Sequence, residues 1–239
     1  MNDSLHTALA TVISCASNME SVRKLLQSHV DGDFPAIVQG PQGSLIPILT
    51  TLLGESSSNS ILVVTPTEQE ADLMASDLRL FAGRDVIQLP SWGISHYARD
   101  SPLPTVFGRR ADALIRLAHG NQWLAVTPLR ALLTPVPERD HLLENTICLE
   151  KDQELDPVEV SERLASLGYL RVPRVTVHGE FSFKGEVVDV FPFALDSAIR
   201  VVLDFDRVSE IRCFDPLTQA SFGQEDRVEI APAREVTLE

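Results

Sequence analysis

Ala36-Ile37-Val38-Gln39-Gly40-Pro41-Gln42-Gly43-Ser44-Leu45-Ile46-Pro47 reads as a short buried strand, a glycine turn and the opening of an apolar helix that covers residues 48–53. Strand, glycine turn and helix in that order make the entrance to an α/β phosphate-binding site. A working P-loop has the form G-x-x-x-x-G-K-[ST]: backbone amides cradle phosphate, the lysine neutralises the β/γ oxygens and the hydroxyl holds Mg²⁺. Here Gly40 supplies the first glycine, but the second glycine is Leu45, the lysine is Ile46 and the hydroxyl is Pro47. Gly43 and Ser44 stay in the turn, with Ser44 read as a helix N-cap; no G-x-S-x-G surrounds it to make it a nucleophile. The expectation is a degenerate P-loop without nucleotide, cofactor or catalytic residue, in a chain descended from an NTPase and used for something else.

Outward from this turn, residues 22–134 alternate apolar strands with helical periods. Residues 61–66 form a strand. Thr67-Glu68-Gln69-Glu70 is an S/T-x-x-E capping box, Met74, Leu78 and Phe81 mark a helix face, and Gly83 ends that helix. Residues 85–89 and 123–127 are further strands. A helix over 108–118 carries Ala111, Leu114, Ile115 and Ala118 on one side, and Pro128 opens another helix. Apolar strands between helices predict a parallel sheet covered on both faces. A helical segment, 1–21, precedes this domain, and Pro135-Val136-Pro137 ends it. From 135 to 235 the texture becomes α+β. Residues 145–149 form a strand, and Asp156-Pro157-Val158-Glu159 opens a helix that stops at Gly168. Strands follow at 174–177, 186–191, 199–205 and 209–214, with turns at Asp196-Ser197, Asp206-Arg207 and Asp215-Pro216.

With 20 Lys+Arg against 34 Asp+Glu the net charge is −14, which makes nucleic acid a poor direct partner. Cys15, Cys148 and Cys213 are far apart and odd in number, as expected of inert thiols in a reducing compartment, and a bacterial or otherwise reducing cytoplasm is the default expectation. The six histidines lack metal-ligand spacing, so no metal is expected. No run of 18 apolar residues could span a membrane. Asp204 and Asp206 read as a solvated turn. The loop Trp92–Tyr97 follows a strand's C-terminal end, where an α/β sheet places ligand sites. Its aromatic rings could equally pin the loop to the domain.

The most distinctive stretch is His178-Gly179-Glu180-Phe181-Ser182-Phe183-Lys184-Gly185-Glu186-Val187-Val188-Asp189-Val190-Phe191-Pro192. Phe181, Phe183, Val188 and Val190 fill strand phases around a Gly185 kink, and Glu180, Lys184, Glu186 and Asp189 are expected along the exposed edge. This stretch resembles the small domain that the excision-repair protein UvrB shares with bacterial transcription-repair coupling factors (Mfd). Their pattern runs G-(D/E)-(F/Y)-x-x-R-G-x-x-x-D-(I/L)-F-P, then R-(V/L)-x-x-F and (L/V)-F-D. Gly179, Glu180, Phe181, Gly185, Asp189, Phe191, Pro192, Arg200, Phe214 and Asp215 fit it. Upstream, Leu89, Trp92, Tyr97, Ser101-Pro102, Arg110, Leu114 and Leu117 resemble the coupling factors' L-x-x-W…Y…SP…R-x-x-x-L-x-x-L segment. The likeness covers about residues 22–235.

The resemblance implies a UvrB-like α/β domain without a working Walker A, followed by a smaller α+β domain that binds UvrA. It implies a UvrA-recruiting module with no ATPase of its own. The ATP-driven DNA translocase and the contacts to RNA polymerase and duplex DNA would lie in other domains of a full-length factor. The docking residues it carries over are Lys184, where the pattern has arginine, Arg200, and Asp204, where the pattern has an aromatic and Phe205 stands next door. The competing readings are a UvrB-like or other P-loop ATPase, and a Rossmann dinucleotide protein, which would need G-x-G-x-x-G.

Overall fold

The computed structural model describes residues 2–33, 35–93, 103–120 and 122–234. In chain order the elements are α1 (Asn2–Ser17), α2 (Glu20–Val30), α3 (Leu45–Ser56), β1 (Ile61–Thr65), α4 (Glu68–Ala82), β2 (Ile87–Gln88), α5 (Pro104–His119), β3 (Leu124–Pro128) and α6 (Leu129–Leu132). Then come α7 (Arg139–Glu144), β4 (Ile147–Glu150), α8 (Pro157–Ser166), β5 (Leu170–Arg171), β6 (Glu180–Lys184), β7 (Val187–Val190), β8 (Ala198–Asp204), β9 (Arg207–Phe214), β10 (Ser221–Glu225) and β11 (Arg227–Ile230). They form two compact units: Met1–Leu89 with Gly120–Leu133, and Pro90–His119 with Thr134–Glu239. Residues 90–119, expected in the first domain, are grouped with the second.

The first unit holds a parallel sheet in the order β1-β3-β2. Ala71, Ala75 and Leu78, one turn apart on α4, are fully buried against Val86, Leu124 and Val126, with Met74 at the margin. Helix α4 starts and stops as its sequence dictates. The Thr67 hydroxyl accepts the Glu70 amide at 3.2 Å, and Gly83 closes the helix in the left-handed region. Ala16, Val22, Ile48, Leu49 and Leu52 bring α1, α2 and α3 into a second cluster that includes Phe81.

Residues 36–39 do not form the expected strand. Ile37 is 86% exposed and Val38 is half exposed, so no burial offsets the entropy of ordering an extended segment. Pro35 and Pro41, which bracket it, remove two ladder donors. Helix α3 begins at Leu45, three residues before the expected start, and Ser44 occupies the N-cap position without a side-chain capping bond.

In the second unit a six-stranded sheet runs β10-β9-β8-β7-β6-β5, antiparallel except for the β5–β6 pair. Strands β4 and β11 form a separate antiparallel pair. Alternation along β6, β7 and β8 sends Phe181, Val188, Val190, Ile199 and Val201 into one core, with Leu164 and Leu167 from the α8 region. Asp156 caps α8 through the Val158 amide at 2.8 Å, with Pro157 opening the first turn. The opposite face buries a smaller cluster, Val175, Phe191, Ala198 and Phe214. Helix α5 carries a glycine where the unit needs one: a Cβ on Gly108 would stand 2.1 Å from the Phe193 ring.

Residues 174–177 are also not a strand. The amides of Thr176 and Val177 donate to the Glu180 carboxylate, at 2.8 and 3.0 Å, instead of to a neighbouring strand. Strands β10 and β11 lie beyond the expected set: every residue of β10 is exposed, and β11, with Val228 and Ile230 buried in alternation, spans only four residues.

Candidate partner-docking face

The face of the second unit's sheet that turns away from its main core carries the residues in question. Register places Ser182, Asp189, Arg200 and Arg212 in one row across β6, β7, β8 and β9. Lys184 lies on the same face, opposite Val187 at the end of β6, where Gly185 turns the hairpin at φ +59°. Lys184 is exposed and has no ion pair among the described residues. Its Cα lies two strands across and two residues along from that of Arg200, about 12 Å by ordinary sheet spacing.

Arg200 and Asp189 form a bidentate pair. Nε donates to Oδ1 at 2.7 Å and Nη2 to Oδ2 at 2.9 Å. The guanidinium also lies 4.6 Å from the centroid of the Phe214 ring. Asp189, expected on an exposed edge, is 8% exposed. Hydrogen bonding to Asp189 pushes the guanidinium's pKa up, against a smaller opposing effect of burial. Lys184 and Arg200 thus share a face without making a compact basic spot, because Arg200 is already compensated by an internal carboxylate. Arg212 in the same row is ion-paired to Glu210.

Asp204 ends β8 opposite Arg207 and is exposed. The turn that follows is Phe205-Asp206, one residue earlier than expected. Phe205 adopts φ +58° and is 83% exposed. The structure therefore brings Lys184, Arg200 and Asp204 to one face of one sheet, with an exposed aromatic at its tip. Asp189 and Phe214, which hold Arg200, were missed as a pair. The alternation of β7 put Asp189 opposite Val188 and Val190 in phase, but the cross-strand register could not be read.

The other expected sites stand apart. In the glycine turn Gly40 and Gly43 have φ +86° and +56°, Ile46 is exposed and Pro47 is buried. The Leu45 amide is spent on the Gln42 carbonyl at 3.3 Å, and Pro47 has none to offer. In the second unit Trp92 tilts against Phe107 at 6.1 Å, and the fully buried Arg110 reaches its ring at 5.8 Å and donates to the Pro90 carbonyl. The start of the aromatic loop is thus pinned to α5; Tyr97 lies outside the described residues. Among the described residues no group of three His, Cys, Asp or Glu could hold a metal. No helix among them is long and apolar enough to cross a membrane.

Comparison with known families matches residues 147–236, from β4 to beyond β11, to the UvrB interaction domain. Along most of its length the chain is homologous to transcription-repair-coupling factors. It is 28% identical to that of Borreliella burgdorferi over 230 residues, which is 95% of this chain and 20% of the relative. It is 25% identical to that of Bacillus subtilis over 92% of this chain and 19% of the relative, and 31% identical to that of Myxococcus xanthus over 74% and 16%. The chain therefore spans a fifth or less of the length of these curated relatives.

Proposed function

We propose that this chain recruits UvrA during excision repair at stalled transcription, docking through the face that carries Lys184, Arg200, Asp204 and Phe205. The observation that carries the reading is the coincidence of the UvrB interaction domain with a sheet face bearing a free lysine, a presented arginine and an exposed aromatic. Mixed polar and aromatic groups around a solvent-facing patch are the usual anatomy of a specific interface. The chain acts as a binding module without nucleotide, metal or other cofactor. The glycine turn is a degenerate P-loop, because it lacks both the phosphate-neutralising lysine and the Mg²⁺ hydroxyl. ATP-driven translocation, and contacts to RNA polymerase and duplex DNA, belong to other domains of the longer relatives. The working compartment is the bacterial cytoplasm.

The test is isothermal titration of the purified chain with UvrA, alone and as Lys184→Ala. The wild type should bind. Lys184→Ala should weaken binding roughly three- to tenfold, mainly through the on-rate and its salt dependence, as a rim charge does. No heat of binding at tens of micromolar protein, or a Lys184→Ala variant indistinguishable from wild type, would sink the reading.

A further inference from the structure

We infer that Asp189 is a positioning residue for docking: it fixes the Arg200 guanidinium so that its outer N–H groups meet a carboxylate of the partner. This rests on the UvrA-docking reading of the same face. A guanidinium has five N–H donors in one plane. Asp189 takes the Nε–H and one N–H of Nη2, and the Phe214 ring lies within 4.6 Å of the guanidinium carbon. Two N–H groups on Nη1 and one on Nη2 remain. No acceptor among the described residues takes them, and a quarter of the side chain stays exposed. Those remaining donors form a second fork of the geometry that receives a carboxylate end-on.

Charge and geometry make opposite forecasts here, which is what makes the role testable. If only charge mattered, Asp189 would oppose an acidic partner, and its removal would tighten binding. But Asp189 is nearly buried and its charge already meets Arg200 at hydrogen-bond distance, so little of its field reaches a partner. What its removal does change is the arginine. A long side chain held in one rotamer before binding becomes one that must be ordered on binding, and such ordering subtracts from affinity. Geometry outweighs charge, and loss of the anion weakens binding.

The experiment titrates UvrA against the wild type, Asp189→Asn, Arg200→Lys, the double variant, and Lys184→Ala in the wild-type and Asp189→Asn backgrounds. Thermal melts accompany each protein. Asp189→Asn should weaken binding about tenfold, Arg200→Lys by a similar factor, and the double variant no more than either alone, since both remove the same presented fork. Lys184→Ala should keep its full effect in the Asp189→Asn background, which a general collapse of the face would erase. Equal or tighter binding by Asp189→Asn overturns the inference while leaving the docking reading intact. An erased Lys184 effect assigns Asp189 a merely structural role and also overturns it. A wild-type chain that fails to bind UvrA removes the docking reading itself, and this inference with it.

Discussion

Phe205 stands at φ +58° in the two-residue turn between β8 and β9, where glycine or asparagine is the ordinary occupant. A bulky side chain there costs about 1–2 kcal/mol, and at 83% exposure burial does not offset it. Replacement by glycine removes that strain but adds entropy to the unfolded chain, leaving a net gain of up to about 1 kcal/mol. Phe205→Gly should therefore melt at a higher temperature than the wild type yet bind UvrA about tenfold more weakly, as expected for loss of an aromatic anchor. If the same preparation is stabilised and binds unchanged, the turn strain has no docking purpose. At this scale the sequence was partly legible. A motif with fixed offsets located Lys184, Arg200 and Asp204, because each offset along a strand maps onto one face. It could not show that Arg200 was already engaged, since that depends on β7 and β8 aligning Asp189 with Arg200 rather than with a neighbour two residues away.

The elements that the sequence places correctly are those closed by local chemistry. Thr67 and Asp156 cap their helices, and Gly83 and Gly168 take the positive φ that ends or follows them, all within a few residues. The elements misread are those that need a distant partner. Residues 36–39 and 174–177 are apolar enough for strands but find no ladder, while β10, exposed throughout, finds one on β9. The 174–177 segment is instead fastened by Glu180, whose carboxylate accepts the amides of Thr176 and Val177 and the Thr176 hydroxyl at 3.1 Å. Partial burial raises this carboxyl's pKa, but the three hydrogen bonds together outweigh it and hold the value below the ordinary glutamate range. A depressed folded pKa means stability that is present above the unfolded value, about 4.3, and lost as pH falls through the folded one. Glu180→Ala should lower stability by about 1 kcal/mol at pH 7. That difference from wild type should shrink in urea melts as pH falls below about 4.3. A penalty that stays constant down to strongly acid pH would show that the carboxylate's charge is not what fastens the segment.

At the scale of the whole molecule, charge and the altered glycine turn lead to one joint prediction about what the chain leaves alone. The α/β and α+β textures were legible from periodicity, but the grouping of α5 with the second unit was not. It involves packing such as the fit of the Phe193 ring against Gly108, which no pattern in the intervening sequence encodes. Net charge is a property of composition and needs no such fit. At −14 the chain repels phosphate at long range, and binding to duplex DNA would require local basic clusters to release counterions. On the face described above, Arg200 and Arg212 are each paired with a carboxylate, leaving Lys184 as the unpaired cation of the set. One such charge neutralises about one phosphate, too few for more than the weak non-specific affinity of about 10⁻⁴–10⁻⁶ M. The same outcome is predicted for nucleotide at the glycine turn. Measured against a working P-loop, the turn has Ile46 in place of the cation and Pro47 in place of the hydroxyl, and Pro47 offers no amide. Fluorescence anisotropy with a labelled duplex at about 150 mM salt should show no sub-micromolar complex, and titration with Mg·ATP should show no binding in the micromolar range. A tight duplex complex would mean that basic residues of the chain cluster more effectively than the sheet face does. Micromolar Mg·ATP binding would overturn the reading of the turn as a degenerate, nucleotide-free P-loop.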